Sequence, residues 1–277
     1  GKTQLALQSS LTVQLPPSAG GASGSSCYLT TKSDLQTGRL VEILNSHPIA
    51  SSSSCNLDDI HTMKIPTFQK LIEVLQDTVP RLVAQLADAG KKPVRLLIID
   101  AITELFHQTG QTSSDTLRER SRTIVEISKF LHALASRHHI AVLVLNEVID
   151  TVDHSTNDGI TTADELAYKD QSSLFNSAEG HSRKEAGLGL TWANQVNTRI
   201  LFSRTLRRRH LEHDVVRKRP RNDHDANPAL SSQRSSQSTT DEATLIRKLT
   251  VVFGPLAPVS SLDYIVTEAG ISTLPPD

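Results

Sequence analysis

One apolar stretch gives the first indication of the fold: VRLLIID (Val94–Asp100). Its nearly continuous run of apolar residues is typical of a strand buried on both faces of a parallel sheet. A second stretch, IAVLVLN (Ile140–Asn146), has the same character. Polar side chains at the carboxyl ends of such strands lie where open α/β sheets bind ligands. The two stretches therefore predict an α/β domain with a ligand site near Asp100 and Asn146.

Strand and helix patterns alternate along the rest of the chain. Further strands are predicted at Cys27–Thr31, Thr198–Arg204, Lys248–Gly254 and Tyr264–Glu268. Apolar residues at three- and four-residue spacing predict helices, one through Phe68–Leu86 that kinks or restarts at Pro80, and one through Leu117–Leu134 that begins at Ser114 or Asp115. This alternation predicts a mostly parallel sheet flanked by helices. The last two strands have no helix between them, which predicts a terminal antiparallel hairpin or meander.

Composition limits the function classes. The 277 residues suit one large α/β domain or two small ones, and the net charge of −1 gives no global basic field, so any nucleic-acid binding must come from local patches. Two cysteines form no disulfide framework and favour a reducing compartment. No apolar run reaches the roughly 18 residues of a membrane-spanning helix, so no membrane span is expected.

Two polar segments interrupt the pattern. Leu206–Thr244 is basic and serine-rich and is predicted to be a disordered insertion between two strands. Its run RKRPR (217–221) has three interpretations: a nuclear import signal, a patch for DNA phosphates, or a solvated stretch. Ile149–Gly187 is long, polar and without periodicity.

The chain begins with GKTQLAL (Gly1–Leu7). Gly1, Lys2 and Thr3 match the second half of the phosphate-binding loop GxxxxGK[ST], in which backbone N–H groups cradle phosphates, the lysine reaches them and the hydroxyl holds Mg²⁺. An ordinary helix start is the alternative interpretation. A GKT helix start followed by an apolar strand that ends in Asp100 is the order that a nucleotide-binding α/β core requires. We expect the first half of the loop and the strand that feeds it to be missing from this chain.

Two C-terminal blocks narrow the interpretation: LGLTWANQVNTRILFSR (Leu188–Arg204) and RKLTVVFGPLAPVSSLDYIVTEAGI (Arg247–Ile271). Together with the GKT start and the two apolar strands, they resemble the RecA-type recombinase ATPases, and among these the mediator branch of the eukaryotic Rad recombinase paralogues. The resemblance covers nearly the whole chain, 1–277, as one RecA-like P-loop ATPase core with C-terminal antiparallel strands, except for the insertion at 206–244.

The resemblance implies ATP and Mg²⁺ as cofactors. The residues that would contact the nucleotide are Gly1, Lys2, Thr3, Gln4, Arg39 and Asp100. Thr3 would hold Mg²⁺ directly and Asp100 would hold it through water. The guanidinium of Arg39 would lie on adenine, as cations do on π faces. Asn146 would sense the γ-phosphate and relay its presence to the loop that follows.

One residue departs from the family pattern. Where the family carries the glutamate that positions the attacking water, the segment YLTTKSDL has Lys32. A charged lysine cannot accept a proton, and near Lys2 its like charge is unfavourable. Asp34, two residues further on, would face a different direction. We therefore expect a weak DNA-dependent ATPase of RecA type, which binds ATP and hydrolyses it slowly.

The resemblance also implies contacts with other macromolecules. Two DNA-facing loops would correspond to about Thr103–Asp115 and about Ile149–Gly187, the second with Arg183 and Lys184 as its basic residues. The segment FGPLAP (Phe253–Pro258) would cap the nucleotide of a neighbouring subunit.

The implied function is homologous-recombination repair of DNA double-strand breaks in the nucleus. The chain would assist loading or filament stability of the main strand-exchange recombinase on single-stranded DNA, as the heterodimer partner of another paralogue. Two alternatives are a non-hydrolysing structural partner in such a heterodimer and another RecA-fold DNA-dependent ATPase, such as a hexameric helicase.

Overall fold

Helices and strands alternate up to the C-terminal third, where strands alone follow. The computed structural model describes residues 1–51, 55–106, 114–150, 184–209 and 243–274. The helices are α1 (Lys2–Thr12), α2 (Thr37–Ser46), α3 (Phe68–Glu73), α4 (Val79–Asp88), α5 (Ser114–His138) and α6 (Gly189–Ala193). The strands are β1 (Ser25–Thr30), β2 (Ile60–Lys64), β3 (Val94–Asp100), β4 (Ala141–Val144), β5 (Val148–Asp150), β6 (Lys184–Ala186), β7 (Arg199–Arg209), β8 (Thr244–Phe253), β9 (Ser260–Thr267) and β10 (Gly270–Thr273).

A four-stranded parallel sheet in the order β2-β1-β3-β4 forms the centre. The six residues of β1 are all buried, and so are most of β3, as their apolar sequences predict. Helices cover both faces, because parallel strands require crossover connections that return along the sheet. The predicted parallel α/β core is confirmed. Strand β2 was not predicted, because its short sequence IHTMK alternates between inward and outward side chains at the sheet edge.

The C-terminal strands form a separate antiparallel sheet in the order β10-β9-β8-β7, which confirms the predicted terminal hairpins. Strand β7 continues to Arg209 and β8 already starts at Thr244, so both ends of the predicted insertion belong to strands. Residues 210–242 lie outside the described residues, and disorder there stays a prediction. Strands β5 and β6 pair with each other as a small third sheet.

The predicted helix through Phe68–Leu86 consists of three joined parts. A π-helical turn at Val74–Thr78 connects α3 to α4, and Pro80 lies in the first turn of α4. Proline is tolerated there because the first N–H groups of a helix have no intrahelical acceptor. The predicted restart at Pro80 therefore agrees with the structure.

Two apolar clusters fill the space on the two faces of the parallel sheet. One joins β1 and β3 to α3, α4, α5 and α6, and the other joins the same two strands to α1 and α2. Leu97 and Ile98 are adjacent in β3 and belong to different clusters, because neighbouring strand residues point to opposite faces. Within the described ranges, no helix combines the length and apolar character needed to cross a membrane.

Replacing Leu97 by alanine tests this packing. Leu97 is fully buried, so Leu97→Ala is expected to lower the free energy of unfolding by about 2–5 kcal/mol through lost burial and a residual cavity. Val41→Ala on α2 is the control, because Val41 is 41% exposed and its loss should change stability by less than about 0.5 kcal/mol. Urea unfolding followed by circular dichroism measures both, and equal effects would contradict the assignment of the core.

Candidate nucleotide site

Helix α1 lies on the sheet with its first residues at the edge where the parallel strands end. Ser26, near the start of β1, donates a hydrogen bond from its hydroxyl to the carbonyl of Ser10, 3.3 Å away near the end of α1. The helix therefore runs antiparallel to β1. Ala6, Leu7 and Leu11 fix this orientation by packing in the same cluster as Tyr28. Lys2 and Thr3 are thereby placed toward the carboxyl edge of the sheet.

Asp100 ends β3 at this edge and is held by Tyr28 of the neighbouring strand. The Tyr28 hydroxyl donates a hydrogen bond to Oδ2 of Asp100 at 2.8 Å. Burial raises the pKa of Tyr28 well above its ordinary value, and the nearby charge of Asp100 and this hydrogen bond raise it further. The phenol therefore stays a donor, which orients the carboxylate on the face of the sheet that α1 covers. Tyr28 was not among the predicted site residues. Thr30 pairs with Asp100, and Tyr28, two residues earlier in β1, points to the same face of the sheet as Thr30.

Two threonines tie the strand ends together. The Thr31 hydroxyl accepts a hydrogen bond from the amide of Ala101 at 3.0 Å and donates one to the carbonyl of Ala101 at 2.9 Å. The Thr103 hydroxyl donates to Oδ1 of Asn146 at 3.3 Å and accepts from the amide of Glu147 at 3.0 Å. The ends of β1, β3 and β4 therefore form one connected edge. Asn146 reaches this edge, as its place at a strand end predicts, but its role toward a γ-phosphate stays a prediction.

Lys32 follows β1 and extends from the edge to an acidic partner. Its Nζ lies 3.1 Å from Oε1 of Glu104, which belongs to a 3-10 turn (Ile102–Phe106) directly after β3. Asp34 pairs instead with Lys64 of β2 at 2.9 Å, which agrees with the expectation that it faces a different direction. Glu104 was not recognised from the sequence, and the available signal was an acidic residue one short turn after Asp100.

Arg39 connects α1 to the turn between β9 and β10. Its Nε donates to Oε1 of Gln4 at 2.9 Å, and its terminal nitrogens donate to Glu42 and to the backbone carbonyls of Thr267 and Glu268. The hydrogen-bonding edge of the guanidinium is thus engaged by the protein. Stacking of its face on adenine stays a prediction.

Gln8 makes a second link to the same turn. Its Oε1 accepts a hydrogen bond from the amide of Ile271 at 2.7 Å. Gly270 in this turn has φ +107°, and a Cβ there would come within 2.6 Å of Oε1 of Gln8. Only glycine meets both conditions without strain. Helix α1 is therefore linked to the C-terminal sheet directly through Gln8 and, by way of Arg39, through Gln4.

The donor set at the edge suits Mg²⁺. Mg²⁺ prefers hard oxygen ligands and usually keeps several waters, so one hydroxyl and one carboxylate on a partly open edge match its chemistry. Thr3 supplies the hydroxyl and is partly exposed, while Asp100 supplies a carboxylate of which one oxygen is used by Tyr28. Within the described residues, Lys2 has no ion pair, which leaves its ammonium available for a phosphate.

A cavity of about 490 Å³ extends from Lys2 and Leu5 along β4 to β7. In the described part of the chain, β4 pairs only with β3 and β7 pairs only with β8, so the two strands face this cavity with open edges. At the end of the cavity near α1, Gly1 approaches Tyr264 so closely that a Cβ would lie 2.1 Å from Oη. The cavity therefore separates the parallel and antiparallel sheets beside the phosphate-loop motif.

The predicted DNA-facing loops are only partly described. Of the first, Thr103–Phe106 belong to the 3-10 turn and Ser114 already begins α5, while residues 107–113 lie outside the described residues. Of the second, residues 149–150 and 184–186 belong to β5 and β6. Arg183 lies outside the described residues, and Lys184 is located only as the first residue of β6. DNA contact by these loops stays a prediction.

Tyr28→Phe tests the hydrogen bond that orients Asp100. The variant should be about 1 kcal/mol less stable at neutral pH, because the carboxylate loses a donor. The folded-state pKa of Tyr28 is raised above the ordinary value of 10.0. The stabilisation by the neutral phenol is therefore complete below pH 10.0 and is lost as the pH rises from there through the folded-state pKa. Urea unfolding at several pH values should therefore show the stability difference between the two proteins shrinking above pH 10.0. A difference that stays constant with pH would contradict this account.

Arg39→Lys tests the link between α1 and the C-terminal sheet. Lysine keeps the charge but not the planar fork, so contacts with the two turn carbonyls should be lost. Amides of the 267–271 turn should then exchange hydrogen at least about fivefold faster, which corresponds to roughly 1 kcal/mol. Arg81→Lys is the matched control, because the described hydrogen bond of Arg81 runs only to Asp77, within its own helical segment. Unchanged exchange in the turn would show that Arg39 does not fasten it.

Comparison with known proteins gives a consistent result. A profile of the Rad51 family matches residues 1–165. The chain is 30% identical to the DNA repair protein XRCC3 homolog of Arabidopsis thaliana over 98% of its own length and 82% of that protein. It is 25% identical to the human DNA repair protein RAD51 homolog 2 over 98% of its own length, and 26% identical to the Schizosaccharomyces pombe DNA repair protein rhp57 over 72%. It spans 60% and 59% of the length of these two relatives.

The match covers more than half of the chain, and the parallel sheet, the GKT helix start and the acidic end of β3 follow the order that this family requires. The chain therefore belongs to the Rad51 family, on its paralogue branch.

Proposed function

We propose that this chain is an ATP-binding recombinase paralogue that acts in homologous-recombination repair of DNA double-strand breaks. Rad51-family domains bind a nucleotide with Mg²⁺, and the relatives are named DNA repair proteins. The observation that carries the proposal is the arrangement of Lys2 and Thr3 at the start of α1 with the Tyr28-held carboxylate of Asp100 on the same face of the sheet.

In this proposal each residue has a separate task. Lys2 binds the terminal phosphates, and amides at the start of α1 add donors, since a helix N-terminus favours anions. Thr3 holds Mg²⁺ through its hydroxyl, and Asp100 holds it through water. When bound, Mg²⁺ neutralises phosphate charge. Asn146, fixed by Thr103, reads the γ-phosphate at the edge. Nucleotide hydrolysis is slow because Lys32 replaces the expected glutamate.

We propose that one RecA-like core spans the chain. Arg39 links Gln4 of α1 to the carbonyl of Thr267, and Gln8 of α1 accepts a hydrogen bond from the amide of Ile271. The parallel sheet and the antiparallel C-terminal sheet therefore share contacts with the same helix, which supports a single domain.

One loop of the C-terminal sheet supports a proposal for partner binding. The loop between β8 and β9 exposes Leu256 by 96% and also exposes Val259. Apolar side chains that are exposed together favour an interaction surface when they form one patch, and these two lie in the same short loop. We propose that this loop contacts another paralogue in a heterodimer, and that the pair assists the main strand-exchange recombinase on single-stranded DNA in the nucleus. A non-hydrolysing structural role is the second candidate, favoured by Lys32.

Lys2→Ala tests the nucleotide site in the intact protein. Loss of a charged hydrogen bond to phosphate should weaken binding of a non-hydrolysable ATP analogue with Mg²⁺ by at least about tenfold, measured by calorimetry. Lys70→Ala on α3 is the control, because Lys70 is exposed and pairs with Glu73 of its own helix. Equal affinity in Lys2→Ala and the unmodified protein would contradict the proposed site, and a ring-shaped oligomer would favour another RecA-fold ATPase.

A further inference from the structure

Glu104 is the carboxylate that faces position 32. The resemblance implies a water-positioning glutamate at that position, but the chain has Lys32, whose ammonium extends to Glu104 at 3.1 Å. The acidic group missing from the end of β1 is thus present on the neighbouring element after β3. A carboxylate is thus retained beside position 32, although it belongs to a different element.

The 3-10 turn holds Glu104 in place. Its other four residues, Ile102, Thr103, Leu105 and Phe106, are buried, so Glu104 is the residue of the turn whose side chain remains partly exposed at the edge. Glu104 is 20% exposed, whereas Lys32 is 75% exposed. The carboxylate is therefore the fixed member of the pair and the lysine is the member free to move.

The other acidic groups near the edge have different assignments. Asp34 pairs with Lys64 on β2 and is turned away from β3. Asp100 accepts a hydrogen bond from Tyr28 and belongs to the proposed metal set. Glu147 follows β4, and its amide is bound to Thr103 on the far side of β3 from Lys32. Among the described residues, this leaves Glu104 as the carboxylate between the ends of β1 and β3.

We propose that Glu104 accepts the proton of the attacking water during slow ATP turnover, with Lys32 as the positioning residue that holds it. This inference rests on the proposed nucleotide site. The water oxygen forms a bond to the γ-phosphorus, the bond from that phosphorus to the bridging oxygen of ADP breaks, and the proton passes to Glu104 and then to solvent. The products are ADP and phosphate, with no change of oxidation state.

The ion pair with Lys32 accounts for slow ATP hydrolysis in this arrangement. While paired with Lys32, the carboxylate oxygen of Glu104 is engaged and less available to a water proton. A phosphate group that binds at the edge attracts the exposed ammonium of Lys32, because the two groups carry opposite charges and lie close together. Nucleotide binding then releases Glu104. Turnover is therefore slow because the ion pair between Lys32 and Glu104 must open before Glu104 can accept a proton.

Single-turnover ATP hydrolysis by the intact protein, with Mg²⁺ and single-stranded DNA, tests the inference. Glu104→Gln should lower the rate by about 10²-fold, the smaller end of what general bases contribute, while the affinity for a non-hydrolysable analogue changes by less than about twofold. Glu126→Gln on α5 is the matched control, because Glu126 is an exposed carboxylate in the middle of a helix and not at the strand ends that form the proposed site. A rate for Glu104→Gln within about twofold of the unmodified protein overturns the inference.

Lys32→Met separates chemistry from structure. This variant breaks the same ion pair but leaves the Glu104 carboxylate. If the pair had only a structural role, Lys32→Met and Glu104→Gln would lower the hydrolysis rate equally. That result overturns the inference. The proposed role predicts that Lys32→Met hydrolyses ATP at least as fast as the unmodified protein, because its Glu104 does not have to be released from an ion pair first. If the unmodified protein binds the analogue but shows no turnover, this inference fails and the nucleotide site stands. If the analogue does not bind at all, the proposed function fails first.

Discussion

Pairing of β1 with β3 is the constraint on which the rest of the structure depends. Ser26–Thr30 lie beside Leu96–Asp100 in parallel register, and both strands are buried on both faces. Buried backbone groups must be hydrogen-bonded, so two such strands are stable only at the centre of a sheet with helices on each side. Parallel pairing then brings both carboxyl ends to one edge. The site at that edge is a consequence of the core.

Two lysines at the edge form ion pairs with carboxylates, and a third lysine does not. Lys32 meets Glu104, Lys64 meets Asp34, and Asp100 accepts a hydrogen bond from a buried phenol. Lys2 alone among these cations has no acidic partner within the described residues. An unpaired cation at the start of a helix favours an anionic ligand, because the helix dipole has the same sign there. This electrostatic asymmetry distinguishes the α1 end of the edge from the rest.

The C-terminal sheet is fastened to the same helix. Arg39 and Gln8 bind the turn between β9 and β10, while the other end of β9 continues from the loop that exposes Leu256 and Val259. Strand β9 therefore connects the loop that exposes Leu256 and Val259 to the turn that is held against α1.

The sequence by itself determined the parallel core, the antiparallel C-terminal strands, the restart at Pro80 and the family, because continuous apolar runs, helical spacing and short motifs are local signals. It did not predict β2, whose edge position gives it an alternating pattern. It also did not predict that β7 extends to Arg209, inside the predicted insertion, where pairing with β8 outweighs the polarity of the side chains. Only the tertiary structure brought Glu104 to Lys32, Tyr28 to Asp100 and Arg39 to the 267–268 carbonyls. These contacts join residues 72, 72 and about 228 positions apart, and no local pattern encodes which side chains meet across strands.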